Sequence, residues 1–179
     1  MQGQVAFGKM EEVVFGKPVC EAAPALIDRL GASKVFIMSS GTLNRETNAV
    51  SGLARALGDR VVGLFDQMPA HTPREAVVAA TKAARSVDAD ILLTFGGGSV
   101  TDGAKAVQLC LANGIEDAAS MDALRVPPGG TQSDGAPPTI RQVSIPTTLS
   151  AGEFSSLAGV TDERTKTKEL FKHPLVIPQ

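Results

Sequence analysis

The residues best suited to chemistry form one uninterrupted run, Thr94-Phe95-Gly96-Gly97-Gly98-Ser99-Val100-Thr101-Asp102-Gly103-Ala104-Lys105. An apolar strand-like segment enters three consecutive glycines, and a helical pattern with Ala104, Val107 and Leu109 apolar leaves them. Backbone without side chains lets a phosphate come close, and a helix start offers unpaired N–H groups at the positive end of its dipole. Ser99 adds a hydroxyl donor for the same anion. A tight turn needing positive φ also uses glycine, but one glycine satisfies it; three in succession favour phosphate binding. Two better-known phosphate motifs do not fit. The lysine does not directly follow Gly103, and Ala106 stands where a P-loop places its magnesium-binding Ser or Thr. Nor does a GxGxxG with an acid ~20 residues further on occupy the first strand-to-helix turn, so an ordinary Rossmann site is unsupported.

A second run, Ile145-Pro146-Thr147-Thr148-Leu149-Ser150-Ala151-Gly152, brings hydroxyls and small residues off the end of another strand-like segment. Such a loop suits phosphate or ribose contacts, and an ordinary surface loop has the same composition. Thr161 to Lys168 reads as a charged, hairpin-like stretch of surface.

The elements that must position these residues alternate. Short runs at Val13–Phe15, Lys34–Met38, Val61–Phe65, Asp90–Phe95 and Gln142–Ile145 read as strands. Helical spacing covers residues 19–30, about 44–57, and from Pro73 to about Val87, the last with Thr72 as N-cap. Strands without polar alternation, separated by helices, indicate an α/β fold with a parallel sheet and helices on both faces. Residues 112–140, with Pro127-Pro128-Gly129-Gly130 and Gly135-Ala136-Pro137-Pro138, form an irregular excursion within one domain spanning 1–179.

Composition excludes several functions. Seventeen basic and nineteen acidic side chains give a net charge of −2 without a basic cluster, which argues against nucleic acid. Seven Phe with no Trp or Tyr make a base-stacking platform implausible. Cys20 and Cys110 are expected to be reduced, buried core residues, and no zinc spacing exists. The N-terminal segment does not read as a signal peptide, and no apolar run is long enough for a membrane span, so a cytoplasmic protein is expected.

GGGSVTDGAK (96–105), then IPTTLSAGEFS (145–155), GVTDERTKTK (159–168) and PLVIPQ (174–179) resemble the iron-containing alcohol dehydrogenases, which share the dehydroquinate synthase-like fold. That family reads GGGSxxDxAK and PTTxGTGSE in the same order and spacing, and the paired motifs span essentially the whole chain. FGK near the N-terminus, VFIMSS (35–40) and MPAHTPRE (68–75) look closest to the maleylacetate reductase branch.

The resemblance implies an N-terminal Rossmann-like domain binding NAD or NADP. Gly97, Gly98 and Ser99 would hold the pyrophosphate, with Val100, Thr101 and Asp102 beside them on the first helical turn. Thr147, Thr148 and Leu149 would line the nicotinamide half, and Lys168 would aim a cation at the ribose or phosphate. His71 would stand near the adenosine half, unless it is simply a surface cap residue. Many members carry an Asp at the end of the strand that here finishes Ser39-Ser40, so NADP is not excluded. In the family a second, helical domain holds Fe²⁺ or Zn²⁺ through one Asp and three His, beginning downstream of the IPQ segment. The two histidines here, His71 and His173, match none of those ligands. The chain is therefore expected to be the cofactor half of an oxidoreductase acting on a small alcohol, aldehyde or maleylacetate-like substrate, and inactive alone. Its expected partners are the dinucleotide, the substrate and a second copy in a homodimer, not nucleic acid or membrane. The competing reading is a catalytically incomplete nucleotide-binding or interaction module.

Overall fold

The computed structural model describes residues 10–179. The reading of the extreme N-terminus falls mostly outside them. Five helices, α1 (Val19–Arg29), α2 (Gly41–Glu46), α3 (Ala49–Leu57), α4 (Arg74–Ser86) and α5 (Gly98–Ala112), accompany six strands. Strands β1 (Val35–Ser39), β2 (Val61–Phe65), β3 (Ile91–Gly96) and β4 (Arg141–Pro146) make one sheet; β5 (Leu157–Asp162) and β6 (Thr167–Lys172) make a hairpin.

The four-stranded sheet has the order β2-β1-β3-β4, and every neighbouring pair is parallel. Side chains of β1 and β3 alternate between two cores. Val35, Ile37, Ile91 and Leu93 meet Ile27 of α1 and Leu53 of α3 on one face. Phe36, Met38 and Leu92 meet Val77 of α4 and Val107 of α5 on the other. Both strands are buried at every position, which is why they read as unbroken apolar runs. The expected parallel sheet with helices on both faces is present.

Several local expectations fail. Val13–Phe15 is not a strand: the described residues give it no pairing partner, and Phe15 is 89% exposed. The helix expected over residues 44–57 is broken at Thr47, whose backbone is extended (φ −138°). Its hydroxyl donates to the Leu43 carbonyl (2.6 Å) and accepts from the Ala49 N–H (3.2 Å), closing α2 and opening α3. Thr72 is not the cap of α4; Pro73 holds that position, and Thr72 is buried with φ +54°. Cys110 is buried as expected, but Cys20 is exposed because α1 turns it to solvent; both are free thiols.

The excursion at 112–140 holds only a short 3₁₀ turn, Ser120–Leu124, which buries Met121 and Leu124. The charged stretch at 161–168 is the tip of the β5–β6 hairpin, as its pattern suggests, yet Asp162 is only 2% exposed. No helix among the described residues is long and apolar enough to cross a membrane.

One topological feature positions everything that follows. From β1 the chain crosses to β2 on one side, then returns to β3 on the other side of β1. The connections leaving β1 and β3 therefore run in opposite directions, opening a crevice at the carboxyl ends of those strands, where α/β sheets bind ligands.

Candidate functional site

The three glycines sit at that switch point, where β3 turns into α5. None of Gly96, Gly97 and Gly98 has positive φ, so turn conformation does not require them. Close approach does. A β-carbon at Gly96 would lie 2.9 Å from Val100 Cγ2, at Gly97 3.1 Å from Thr148 Cγ2, and at Gly98 3.1 Å from Ser150 Oγ. Two backbone hydrogen bonds fix Gly96 and the strand end from both flanks: Ser40 N–H donates to the Phe95 carbonyl (3.0 Å), and Thr147 N–H donates to the Gly96 carbonyl (3.0 Å). The ends of β1, β3 and β4 thus converge on one backbone turn.

Hydroxyls surround it. Thr148 Oγ1 and Ser150 Oγ lie against Gly97 and Gly98, and Ser99 supplies a third from the helix itself. The N–H groups of Gly98 and Ser99, in the first turn of α5, have no intrahelical acceptor. The fourth participant is the turn at His71 and Thr72, two successive non-glycine residues with positive φ (67° and 54°). Ser99 Oγ accepts from His71 N–H (3.1 Å), and Thr72 Oγ1 donates to the Ser99 carbonyl (3.1 Å). Thr161 completes the clamp, its hydroxyl donating to the His71 carbonyl (2.8 Å) and its N–H to the Thr72 carbonyl (3.0 Å). Such strain persists only where neighbours over-determine it.

The sequence-derived residues divide into three groups. Gly97, Gly98, Ser99, Thr147, Thr148, Ser40 and His71 meet at the turn. Ser39, Val100 and Thr101 belong to the same backbone, but their side chains are buried and face inward. Thr101 Oγ1 contacts Ser144 Oγ (3.4 Å) in a buried polar network with Thr94, Gln142 and Gln108 that pins α5 to β3 and β4. Leu149 is fully exposed at the loop tip. Asp102 and Lys168 join the site indirectly. Asp102 Oδ2 accepts from Gly159 N–H (3.0 Å), and the Lys168 stem lies across Gly159, where any β-carbon would collide with it.

Lys105, Ser150 and Arg45 also shape the site. Lys105 is completely buried; its ammonium donates to the carbonyls of Gly152 (2.6 Å) and Leu157 (2.8 Å) and lies 3.3 Å from Asp102 Oδ1. Burial pushes its pKa down, with the Asp102 charge working against that. Arg45 folds over Gly41, where a β-carbon would lie 2.7 Å from its Nη1.

Asp122, Asp162 and Glu169 bring carboxylate oxygens within 4.8 Å of one another, the one such cluster among the described residues. Arginines fill it. Arg74 Nη2 lies 2.7 Å from Asp122 and pairs with Glu169, Arg164 Nη2 lies 2.9 Å from Asp162, and Arg125 Nη1 lies 3.2 Å from Glu169. Burial opposes the Arg74 charge, but its bonds to Asp122 and Glu169 prevail and raise its pKa. Arg164 in turn holds the Asp162 carboxyl well below the ordinary range. Three cations already satisfy these acids, and the cluster offers neither nitrogen nor sulfur donors. It does not fit iron or zinc.

A separate cleft of about 380 Å³ lies beside β4, lined by Phe15, Val19, Leu26, Ile145, Phe154 and Gln179. It is largely apolar and does not include the glycine turn.

The family profile described as iron-containing alcohol dehydrogenase matches residues 11–179. Dehydrogenase FUM7 of Gibberella moniliformis is 34% identical over 163 residues, covering 88% of this chain and 38% of that protein. Maleylacetate reductase 2 of Cupriavidus pinatubonensis is 31% identical over 166 residues, 93% of this chain and 37% of that one. The crystal structure of maleylacetate reductase from Agrobacterium tumefaciens superposes with a TM-score of 0.73 at 26% identity, covering 100% of this chain and 42% of that one. The chain thus spans about two-fifths of the length of the relatives it matches. The match over residues 11–179, with the paired glycine and threonine loops in place, makes this chain a member of the iron-containing alcohol dehydrogenase family, its likeness running to the maleylacetate reductase branch.

Proposed function

We propose that this chain binds a nicotinamide dinucleotide at the glycine turn, as the cofactor-holding part of a cytoplasmic oxidoreductase for a small alcohol, aldehyde or maleylacetate-like substrate. Residues 1–179 act as one nucleotide-binding unit in this reading. The observation that carries it is the side-chain-free Gly97-Gly98 turn at the switch point between β1 and β3, ringed by the hydroxyls of Ser99, Thr148 and Ser150. The N–H groups of Gly98 and Ser99 hold the diphosphate, and Lys168, exposed above Gly159, offsets its charge. Thr147 and Thr148 direct the chain toward the nicotinamide half. The bound nicotinamide supplies or accepts the hydride; the protein binds and orients it. The one carboxylate cluster among the described residues does not fit the iron or zinc of the family.

Titration of NADH and NADPH fluorescence with the purified chain tests the assignment. Gly98→Val places carbon against Ser150 and is expected to weaken binding by about ten-fold or more, about 1.4 kcal/mol. Lys168→Ala, at an exposed cation, is expected to weaken it about three-fold and to flatten the salt dependence. Both variants binding as the parent does would overturn the site.

A further inference from the structure

The loop that brings Thr148 and Ser150 to the glycine turn has no core packing of its own: residues 146–151 are all exposed. Two hydrogen bonds tie it to β3 and α5 among the described residues. At its start Thr147 N–H donates to the Gly96 carbonyl (3.0 Å), and at its far end Lys105 Nζ donates to the Gly152 carbonyl (2.6 Å). Ala151, just before the second tie, is left-handed with φ 57°, a strain that needs a neighbour to hold it. Between the two ties, Thr148 Oγ1 lies 3.3 Å from where a Gly97 β-carbon would stand and Ser150 Oγ 3.1 Å from that of Gly98.

The same ion pair reaches the other donor segment. Lys105 Nζ also donates to the Leu157 carbonyl (2.8 Å), where β5 begins. Asp102 divides its two oxygens: Oδ1 lies 3.3 Å from Lys105 Nζ, and Oδ2 accepts from Gly159 N–H (3.0 Å) in β5. The Lys168 stem crosses the hairpin over Gly159. Glu153, next to Gly152 in the loop, adds a second negative charge acting on the buried ammonium. One lysine and one aspartate on α5 therefore set the place of the loop hydroxyls and of the hairpin cation.

We propose that Lys105 and Asp102 are positioning residues for the dinucleotide, acting through the threonine loop and the β5–β6 hairpin rather than by touching it. This rests on the dinucleotide reading above and adds to it the pair that holds the donors ready. Without the pair, an exposed loop and a long lysine would have to be ordered when the ligand arrives, and that ordering weakens binding.

The test is NADH fluorescence titration of the full 179-residue chain in two double-mutant cycles, each variant compared where circular dichroism shows it folded. Lys105→Met removes the tie at Gly152. Asp102→Asn leaves a single acceptor oxygen, which cannot serve both Lys105 and Gly159. Each is expected to weaken NADH about five-fold, the cost of ordering a few loose side chains on binding. Ser150→Ala should weaken the parent about three-fold but Lys105→Met by less than about two-fold, because the hydroxyl is no longer held at the turn. Lys168→Ala should likewise lose most of its about three-fold effect in Asp102→Asn. Ile27→Ala, which loosens the core on the opposite face of the sheet, should leave NADH affinity within about two-fold of the parent. Additive losses in a cycle, or parent-like binding by its Lys105 or Asp102 variant, would remove that residue from the positioning role and leave the dinucleotide site standing. An equal loss in Ile27→Ala would reduce both residues to maintenance of the fold. Failure of the folded parent to bind NADH would remove the dinucleotide reading and the pair with it. If Lys105→Met does not fold, the Asp102 cycle decides for the pair.

Discussion

Lys105 shows how much a single side chain carries here. It is the one cation of helix α5, and every polar contact it makes reaches outward to the loop that carries Gly152 and to the start of β5, apart from Asp102 on its own helix. Replacing it with Met keeps the stem and removes the donor, so the Gly152 and Leu157 carbonyls lose their partner inside the protein. Lys105→Met is expected to cost about 2–3 kcal/mol of stability by urea denaturation; a change under about 0.5 kcal/mol would mean that the ammonium is not engaged as described. The two cysteines offer a second residue-level test. Burial pushes the Cys110 thiol up to about 12, whereas Cys20 stands exposed on α1. An alkylating reagent at neutral pH should modify one thiol per folded chain, at Cys20, and the second only after unfolding. Rapid modification of both would mean that the face of α5 carrying Cys110 opens readily.

At the scale of elements, the His71–Thr72 turn is the joint between α4, α5 and the hairpin. Two left-handed residues cost free energy that Ser99 and Thr161 must offset through four hydrogen bonds. Thr72→Val deletes the bond to the Ser99 carbonyl at a buried position and is expected to destabilise by about 1–2 kcal/mol, measured as a shift in the denaturation midpoint. A neutral result would show that the turn is held by its other contacts alone. This joint also marks the limit of what the sequence discloses. The fully buried strands β1 and β3 were legible because burial on both faces leaves only apolar residues to read. The glycine turn was legible because three side-chain-free residues in succession are more than a tight turn needs, whereas the threonine loop reads alone like any surface loop and joins the turn through the bond from Thr147 N–H to the Gly96 carbonyl. Thr72 before Pro73 looked like a cap because local signals favour that reading; the distant Ser99 and Thr161 override it. Val13–Phe15 has strand propensity without a partner strand, and propensity cannot supply one. Lys105 acquires its role from the carbonyls of Gly152 and Leu157, far away in the sequence, so no spacing rule announces it.

For the whole molecule, the arginine–carboxylate network decides how the peripheral parts stay attached. Arg74 begins α4 and is 1% exposed; it donates to the Ala118 carbonyl (2.8 Å) and pairs with Asp122 from the excursion and Glu169 from the hairpin. Arg164 ties Asp122 to Asp162, so three segments distant in sequence meet in one charged core. Because the same hairpin carries Thr161 and Lys168, the network also holds the clamp on the glycine turn. The arginines depress the folded-state pKa of both Asp122 and Asp162. With folded values below the unfolded ones, the stability these acids contribute is complete above the unfolded carboxylate range, near pH 4, and is lost as pH falls through it toward the folded values. The parent should therefore show a urea midpoint that is flat near neutrality and drops below about pH 4. Arg74→Met should lower the midpoint at pH 7 by the equivalent of about 3 kcal/mol and flatten the acid drop, since part of what acid removes is already gone. Limited proteolysis at pH 7 should then cut within residues 112–140 in the variant before the parent. Parallel pH profiles for the two proteins, with unchanged cleavage, would show that the excursion is held by its buried Met121 and Leu124 rather than by charge.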